Sequence, residues 1–279
     1  MSWRLRVRHR TTLRYSGPVH ASYNEVRISP RTRDGQLAIT HEIETAPRSQ
    51  LYAYTDAWQT LVHAFDVHET HDELVVAASS LVDSADPRST EGGAAWSDLD
   101  GDTRDDYCEY LCDSSRVVST DAIARAALEI RAGTTPDEAV DATTAWIHEA
   151  FTYEPGTTTV ATTADEVLHA GHGVCQDFAH LGIALLRAIG IPARYVSGYL
   201  HPTPDAVIGQ SYTGESHAWL EAWTGSWRAV DPTTAVAVGE RHVIVGRGRD
   251  YGDVTPLKGI YHGAAADVVE VDVEIERVA

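Results

Sequence analysis

A cysteine, a histidine and an aspartate occur in that order at Cys175, His217 and Asp231. Cys175 follows a glycine turn, Gly171-His172-Gly173-Val174, and precedes an apolar run that stops at Gly190. That pattern delivers a thiol to the first turn of a helix, where the positive end of the dipole favours the nucleophilic thiolate. A structural cysteine would more naturally sit mid-helix. His217 lies in Ser216-His217-Ala218-Trp219-Leu220-Glu221-Ala222-Trp223, a strand whose odd positions share one side, so its imidazole can face a helix packed on the sheet. Thr224-Gly225-Ser226 then turns the chain into Trp227-Arg228-Ala229-Val230-Asp231. A tight turn near Gly225 places residues 217 and 231 opposite, or nearly so, across the ladder. Nucleophile, base and orienting carboxylate are the set that acyl transfer through a thioester requires.

The neighbours have simpler roles. His172 and His180 flank Cys175, but one positioned base suffices, and a loop or helix-face place accounts for both. Gln176 and Asp177 fall in the first turn, where an acid ordinarily complements the dipole. The Cys175 amide is a candidate oxyanion donor, because helix-start N–H groups lack carbonyl partners. Trp219, Trp223 and Trp227 are expected to pack on paired strands, and Tyr153, Tyr195 and Tyr251 are candidate cleft residues.

The elements that carry these residues can be read by period. From Trp3 to Tyr15, apolar residues and arginines alternate as in a half-buried strand, which Gly17-Pro18 is expected to break. Short runs at residues 22–29, 37–45, 52–55, 61–69 and 73–79, separated by turn signals, predict an antiparallel β-rich domain over residues 1–82. Residues 83–115 hold ten acids and two bases and read as an acidic linker or surface excursion. Residues 116–279 form the core: helices over 122–132, from Thr135-Pro136 through Phe151, and over 162–168, then the cysteine helix and strands reaching the C-terminus. The fold class expected is α+β.

Composition narrows the partners. Acids outnumber bases 41 to 22, a formal charge of −19, and Lys258 is the only lysine. Such a field repels phosphate backbones, so no nucleic acid is expected. No apolar run reaches signal-peptide or membrane-spanning length, and three cysteines make no disulfide framework, so a cytoplasmic protein with no membrane partner is expected. Oligomeric state is not encoded in any recognisable way. Asp98-Leu99-Asp100-Gly101-Asp102 with Asp105, Asp106 and Glu109 spaces carboxylates as a calcium loop would, but Thr103 stands where the sharp turn needs glycine. A solvated acidic loop is the better reading, and no metal or other cofactor is expected. Cys108 and Cys112 lack a second ligand pair at zinc spacing and are read as buried or half-buried structural thiols.

Four blocks, Gly-Val-Cys-Gln-Asp-Phe-Ala-His-Leu, Gly-Ile-Pro-Ala-Arg-Tyr-Val-Ser-Gly-Tyr, Ser-His-Ala-Trp-Leu-Glu-Ala-Trp and Asp-Pro-Thr, resemble the core of the bacterial transglutaminase-like superfamily. Ser-Gly-Pro-Val and Asn-Glu-Val-Arg-Ile-Ser-Pro-Arg resemble the β-rich N-terminal region often fused to that core, and residues 248–259 resemble its C-terminal signature. The resemblance implies a papain-like arrangement with Cys175, His217 and Asp231 as the catalytic triad. It also implies action on a peptide or protein amide, ending in hydrolysis as a peptidase or amidase. Two other outcomes remain open. An aminoacyltransferase would use the same triad with an amine as acceptor, and a non-catalytic peptide-binding module would keep the triad closed off.

Overall fold

The computed structural model describes residues 2–33, 35–85 and 93–279. The first half holds β1 (Ser2–Val26), β2 (Gln36–Ala46), β3 (Tyr52–Thr55), β4 (Leu61–Val67) and β5 (His71–Ala85). Helices α1 (Asp102–Asp106), α2 (Asp121–Arg131) and α3 (Pro136–Ala150) follow. Next come β6 (Thr152–Tyr153), α4 (Ala164–Ala170), β7 (His172–Gly173), α5 (Cys175–Ala188), β8 (Ala193–Leu200) and β9 (Ser211–Gly214). The chain ends with β10 (Ser216–Trp223), β11 (Trp227–Val230), β12 (His242–Gly248), β13 (Leu257–Gly263) and β14 (Ala266–Arg277).

The alternation at the N-terminus is that of a strand with one buried face: Trp3, Leu5 and Val7 are buried, while Arg4 and Arg8 face solvent. The outward arginines meet acids across both neighbouring strands, Arg4 with Asp83, Arg6 with Glu276, and Arg14 with Glu73 and Glu270. Gly17-Pro18 does not end the strand. β1 continues to Val26 with register shifts after Arg14, and at that irregularity it changes partners. Its first half pairs with β5 and β14, its second with β4 and β13. A proline, which has no N–H to donate, is tolerated in a strand at such a point.

β13 and β14 therefore complete the sheet begun by the N-terminus, whose main path runs β2-β5-β1-β14-β9. The sequence reading groups these C-terminal strands with the core, yet their hydrogen bonds go to β1. The reason is burial: Val273 and Ile275 join Trp3, Leu5, Val7 and Val82 in one apolar cluster. That cluster also contains Tyr199, Val243 and Val245 from a second sheet, ordered β11-β10-β8-β12, so it cements the two halves of the molecule.

The second sheet carries α5. Ala218, Leu220 and Ala222 of β10 and Tyr195 of β8 share a core with Phe178, Leu181, Leu185 and Ile147. Each fully buried leucine contributes roughly 1.5–3 kcal/mol. The surrounding helices start where capping predicts. Thr120 accepts from the Ile123 amide ahead of α2, and Thr135-Glu138 and Thr163-Glu166 form reciprocal capping boxes on α3 and α4.

Part of the expected linker, including Pro87 and Gly92, lies outside the described residues. The rest is not a free connector. Leu99 is buried in the helical core, the Trp96 indole donates to the Thr134 carbonyl at 2.7 Å, and Arg187 donates to the Cys112 carbonyl at 2.8 Å. Cys108 and Cys112 are both exposed, contrary to the expectation of buried thiols. The segment forms a tight turn at Cys108–Tyr110 in which Tyr110 takes the inward direction. Asp98, the first acid of the calcium-like spacing, accepts the Ala95 amide at 2.8 Å and closes its own turn.

Candidate active site

The chain reaches Cys175 along a tightly specified path. α4 ends at Gly171, whose φ of 74° lies in the left-handed region. β7 then pairs in parallel with β6, Thr152 with His172 and Tyr153 with Gly173, and the next residues open α5. Asp177, fully buried, accepts the Val174 amide at 2.9 Å and the Thr158 hydroxyl at 2.7 Å. A Cβ on Gly173 would lie 2.8 Å from the Asp177 Cβ, so only glycine lets the carboxylate fold back over the helix start. Asp177 thus does more than complement a dipole: it braces the turn that presents Cys175. Burial raises its pKa, against the hydrogen bonds that lower it.

His217 is nine-tenths enclosed, with Nε2 2.8 Å from Asp231 Oδ2. Cys175 acts on the imidazole as a second neighbour, and with Nε2 taken by Asp231 the nitrogen left to face sulfur is Nδ1. Burial disfavours the imidazolium, but the hydrogen bonds and charges of Asp231 and Cys175 outweigh it and push the His217 pKa up to about 10. Burial also opposes the charge on Asp231, yet the hydrogen bond and charge of His217 and the hydrogen bond from Thr234 hold its carboxyl well below the usual range. His217 and Asp231 are therefore poised as an imidazolium and a carboxylate beside the Cys175 thiol.

Two details of the expected geometry are different. The β10–β11 ladder pairs Trp223 with Trp227 and ends at Leu220 with Val230, so Asp231 lies beyond the last pair and is not opposite His217. Its side chain is turned toward the imidazole by a local network: Oδ1 accepts the amides of Thr233 (3.0 Å) and Thr234 (3.3 Å), and Oδ2 accepts the Thr234 hydroxyl (2.7 Å). α5 rests on the Ala218, Leu220 and Ala222 face of β10, while His217 and Trp219 have the opposite parity. Histidine and cysteine meet where the strand begins and the helix begins. Trp219, fully buried, stacks on the imidazole with centroids 6.0 Å apart.

The other candidates separate cleanly. His180 is buried, accepts the Tyr251 amide at 3.1 Å, and is pushed down to about 3 by burial, which makes it a neutral structural residue. His172 meets the Thr157 hydroxyl at 3.0 Å. Burial first and the neighbouring Cys175 second push the Tyr153 and Tyr195 hydroxyls up, whereas Tyr251 packs against the helical core. Trp223 and Trp227 pack on Tyr107, and Trp227 carries the Arg194 guanidinium 3.7 Å above its ring. Sequence reasoning missed Thr158, Thr234 and His242. Only Thr234 left a signal, since Asp-Pro-Thr-Thr is a side-chain-to-backbone turn pattern.

A model of the transglutaminase-like superfamily matches residues 124–232, and a model of the bacterial transglutaminase-like N-terminal region matches residues 5–83. An uncharacterized protein of Mycobacterium leprae (strain TN) is 43% identical over 278 residues, covering 99% of this chain and all of that protein. A protein-glutamine gamma-glutamyltransferase of Pseudomonas aeruginosa is 36% identical over 98 residues, 32% of this chain and 14% of that protein. A solved structure from Cytophaga hutchinsonii, provisionally named a cysteine protease, superimposes with a TM-score of 0.78 at 24% identity, covering 98% of this chain and 90% of that one. That likeness is one of fold, an α+β papain-like core joined to a β-rich domain. The chain belongs to the transglutaminase-like superfamily, with the bacterial transglutaminase-like N-terminal region ahead of its core.

Proposed function

We propose that this protein catalyses cysteine-dependent acyl transfer at a peptide or protein amide, with water as the usual acceptor. The observation that carries the reading is the continuous set Cys175, His217 and Asp231, with the nucleophile on the first residue of a helix. The Cys175 thiolate attacks the carbonyl carbon, and amides of the first turn of α5 receive the developing oxyanion. His217 gives its Nδ1 proton to the nitrogen as the C–N bond breaks, releasing the amine and leaving a thioester on Sγ. The neutral imidazole then takes a proton from water as its oxygen attacks the thioester. The acid leaves, and the proton remains on His217 for the next cycle.

A primary amine in place of water gives transamidation by the same steps. The Pseudomonas relative's name makes that the second reading. Water needs no dedicated site, whereas an amine must be bound to compete, so hydrolysis is the first reading. The exposed thiols Cys108 and Cys112 favour a reducing, cytoplasmic setting. Among the described residues no helix is long and apolar enough to cross a membrane.

The test is a panel of peptide amides assayed with and without dansylcadaverine as amine acceptor, for the wild type and Cys175→Ala. Turnover that disappears in the variant supports the reading, and the ratio of acid to amine adduct separates the two outcomes. Turnover retained in Cys175→Ala would overturn it.

A further inference from the structure

We propose that His242, beyond the residues matched by the core family model, is a positioning residue for the triad, its Nε2–H directed at Asp231 Oδ2, the oxygen that also meets His217. This inference rests on the acyl-transfer reading of the site.

The geometry leaves that nitrogen one task. His242 is buried, and its Nδ1 accepts the Gly239 amide at 3.2 Å, which places the ring proton on Nε2. That Nε2 stands 3.8 Å from Asp231 Oδ2 and has no hydrogen-bond partner. A buried N–H is costly to leave unmade, and a carboxylate is the acceptor that rewards it most. At this separation the interaction is that of a dipole with a charge. Catalytic hydrogen bonds commonly shorten once substrate is bound. The ring also covers the carboxylate: its centroid lies 6.3 Å from His217 and 5.2 Å from Trp219, edge-on to the indole that stacks on His217.

His242 is held in turn by the N-terminal sheet. The Ser84 hydroxyl of β5 donates to the His242 carbonyl at 2.7 Å. Two residues on, the Gln36 side chain both donates to the Ile244 carbonyl (2.9 Å) and accepts its amide (2.8 Å). The path runs from β5 and β2 through β12 to His242, Asp231, His217 and Cys175. The charged and titratable groups facing His242 are Asp231, His217 and Arg241. The β-rich domain thereby acts as the rear support of the catalytic acid.

Two substitutions separate positioning from packing. His242→Gln can place an amide N–H where Nε2–H stood, whereas His242→Asn keeps an acceptor for the Gly239 amide but falls short of Asp231. The readout is the rate of Cys175 alkylation by iodoacetamide between pH 5.5 and about 8, resolved by site with mass spectrometry, which needs no knowledge of the substrate. At pH 6 the Asn variant is expected to alkylate roughly fivefold more slowly than wild type and the Gln variant within about twofold, the size of one modest buried polar interaction. Equal rates in the two variants, whether both normal or both slow, would make His242 a packing residue and overturn the proposal. Should neither variant fold, the wild-type tautomer decides: 15N NMR must find the His242 proton on Nε2, and a proton on Nδ1 refutes it. His217→Ala serves as the control, since alkylation unchanged there would instead break the thiol–imidazole pairing on which the site reading rests.

Discussion

His217 and Asp231 meet at 2.8 Å although the hairpin that carries them does not pair them. The contact depends on the turn after β11, where Asp231 gathers the Thr233 and Thr234 amides and the Thr234 hydroxyl. The imidazole's high pKa is therefore a product of local turn chemistry as much as of sheet register.

A titration follows from this. The His217 pKa rises from an ordinary 6.5 to about 10, so the fold favours the imidazolium. The stability this confers is fully present below pH 6.5 and is lost as pH rises through about 10. In NMR titrations the His217 ring protons should remain in the charged form at pH 8. Asp231→Asn should bring the transition back toward neutrality. A wild-type midpoint near 6.5 would show that the pair is not formed.

Thr234→Val tests the turn itself. It removes a 2.7 Å hydrogen bond to a buried carboxylate while keeping the side chain's volume. Hydrogen bonds to charged groups contribute about 1.5–3 kcal/mol, so a loss of that size in stability is expected, with a roughly tenfold slower Cys175 alkylation at pH 6. Urea denaturation and the alkylation assay check the two halves. A fully stable variant that alkylates normally would mean that the backbone amides alone hold Asp231.

Much of this site was legible because its parts obey short-range rules. The glycine turn before Cys175, the apolar run after it and the strand–turn–strand from Ser216 are all periodic within about ten residues. What could not be read depends on distant partners. Asp177 looks like an ordinary first-turn acid until Thr158 and Gly173 are seen against it. Gly17-Pro18 looks like a strand break until β14 and β13 hold β1 extended on either side of it. Cys108 and Cys112 have helical spacing, but the tight turn that includes Tyr110 exposes both.

Gly198 is where sheet packing and the candidate site meet. It pairs with His217, and a Cβ there would stand 2.1 Å from the Val243 carbonyl and 2.6 Å from the Trp219 ring. Neither neighbour can yield, since Val243 is fixed in β12 and Trp219 is fully buried. Gly198→Ala should cost about 3 kcal/mol, the upper part of the usual overpacking range, and should unseat the indole from His217. Chemical denaturation reports the first effect and Trp fluorescence the second. An unperturbed variant would mean that the close approach at this point of the sheet is misplaced.

Glu221 offers a second pH-dependent test, away from Cys175. Its carboxylate is buried and bonds both Arg194 and Arg247 at 2.6–2.8 Å. Burial raises its pKa, but the two guanidinium groups win and bring it down to about 2. A depressed carboxyl contributes stability that is present above its ordinary value near 4.5 and is lost as pH falls through about 2. Glu221→Gln removes the negative charge that two arginines share, so at pH 7 it should destabilise by about 3–5 kcal/mol. The gap between variant and wild type should narrow as pH drops below 4.5. A gap that persists unchanged at pH 3 would assign the loss to packing rather than to charge.

The C-terminal strands give the last prediction. β13 and β14 lie far along the chain from β1, yet β14 pairs with it from Leu5 to Tyr15 and β13 from Val19 to Val26. Ending the chain at Pro256 would strip one side of β1 along most of its length and expose Leu5 and Val7, which are buried together with Val273 and Ile275. An unpaired apolar strand is an aggregation template. The truncated protein should therefore be insoluble or molten, even though Cys175, His217 and Asp231 are all retained. Supplying residues 257–279 as a separate peptide should restore cooperative unfolding by circular dichroism, because β14 then re-pairs with β1. A truncated chain that folds cooperatively by itself would show that the core and the first strands are stable without the returning C-terminus.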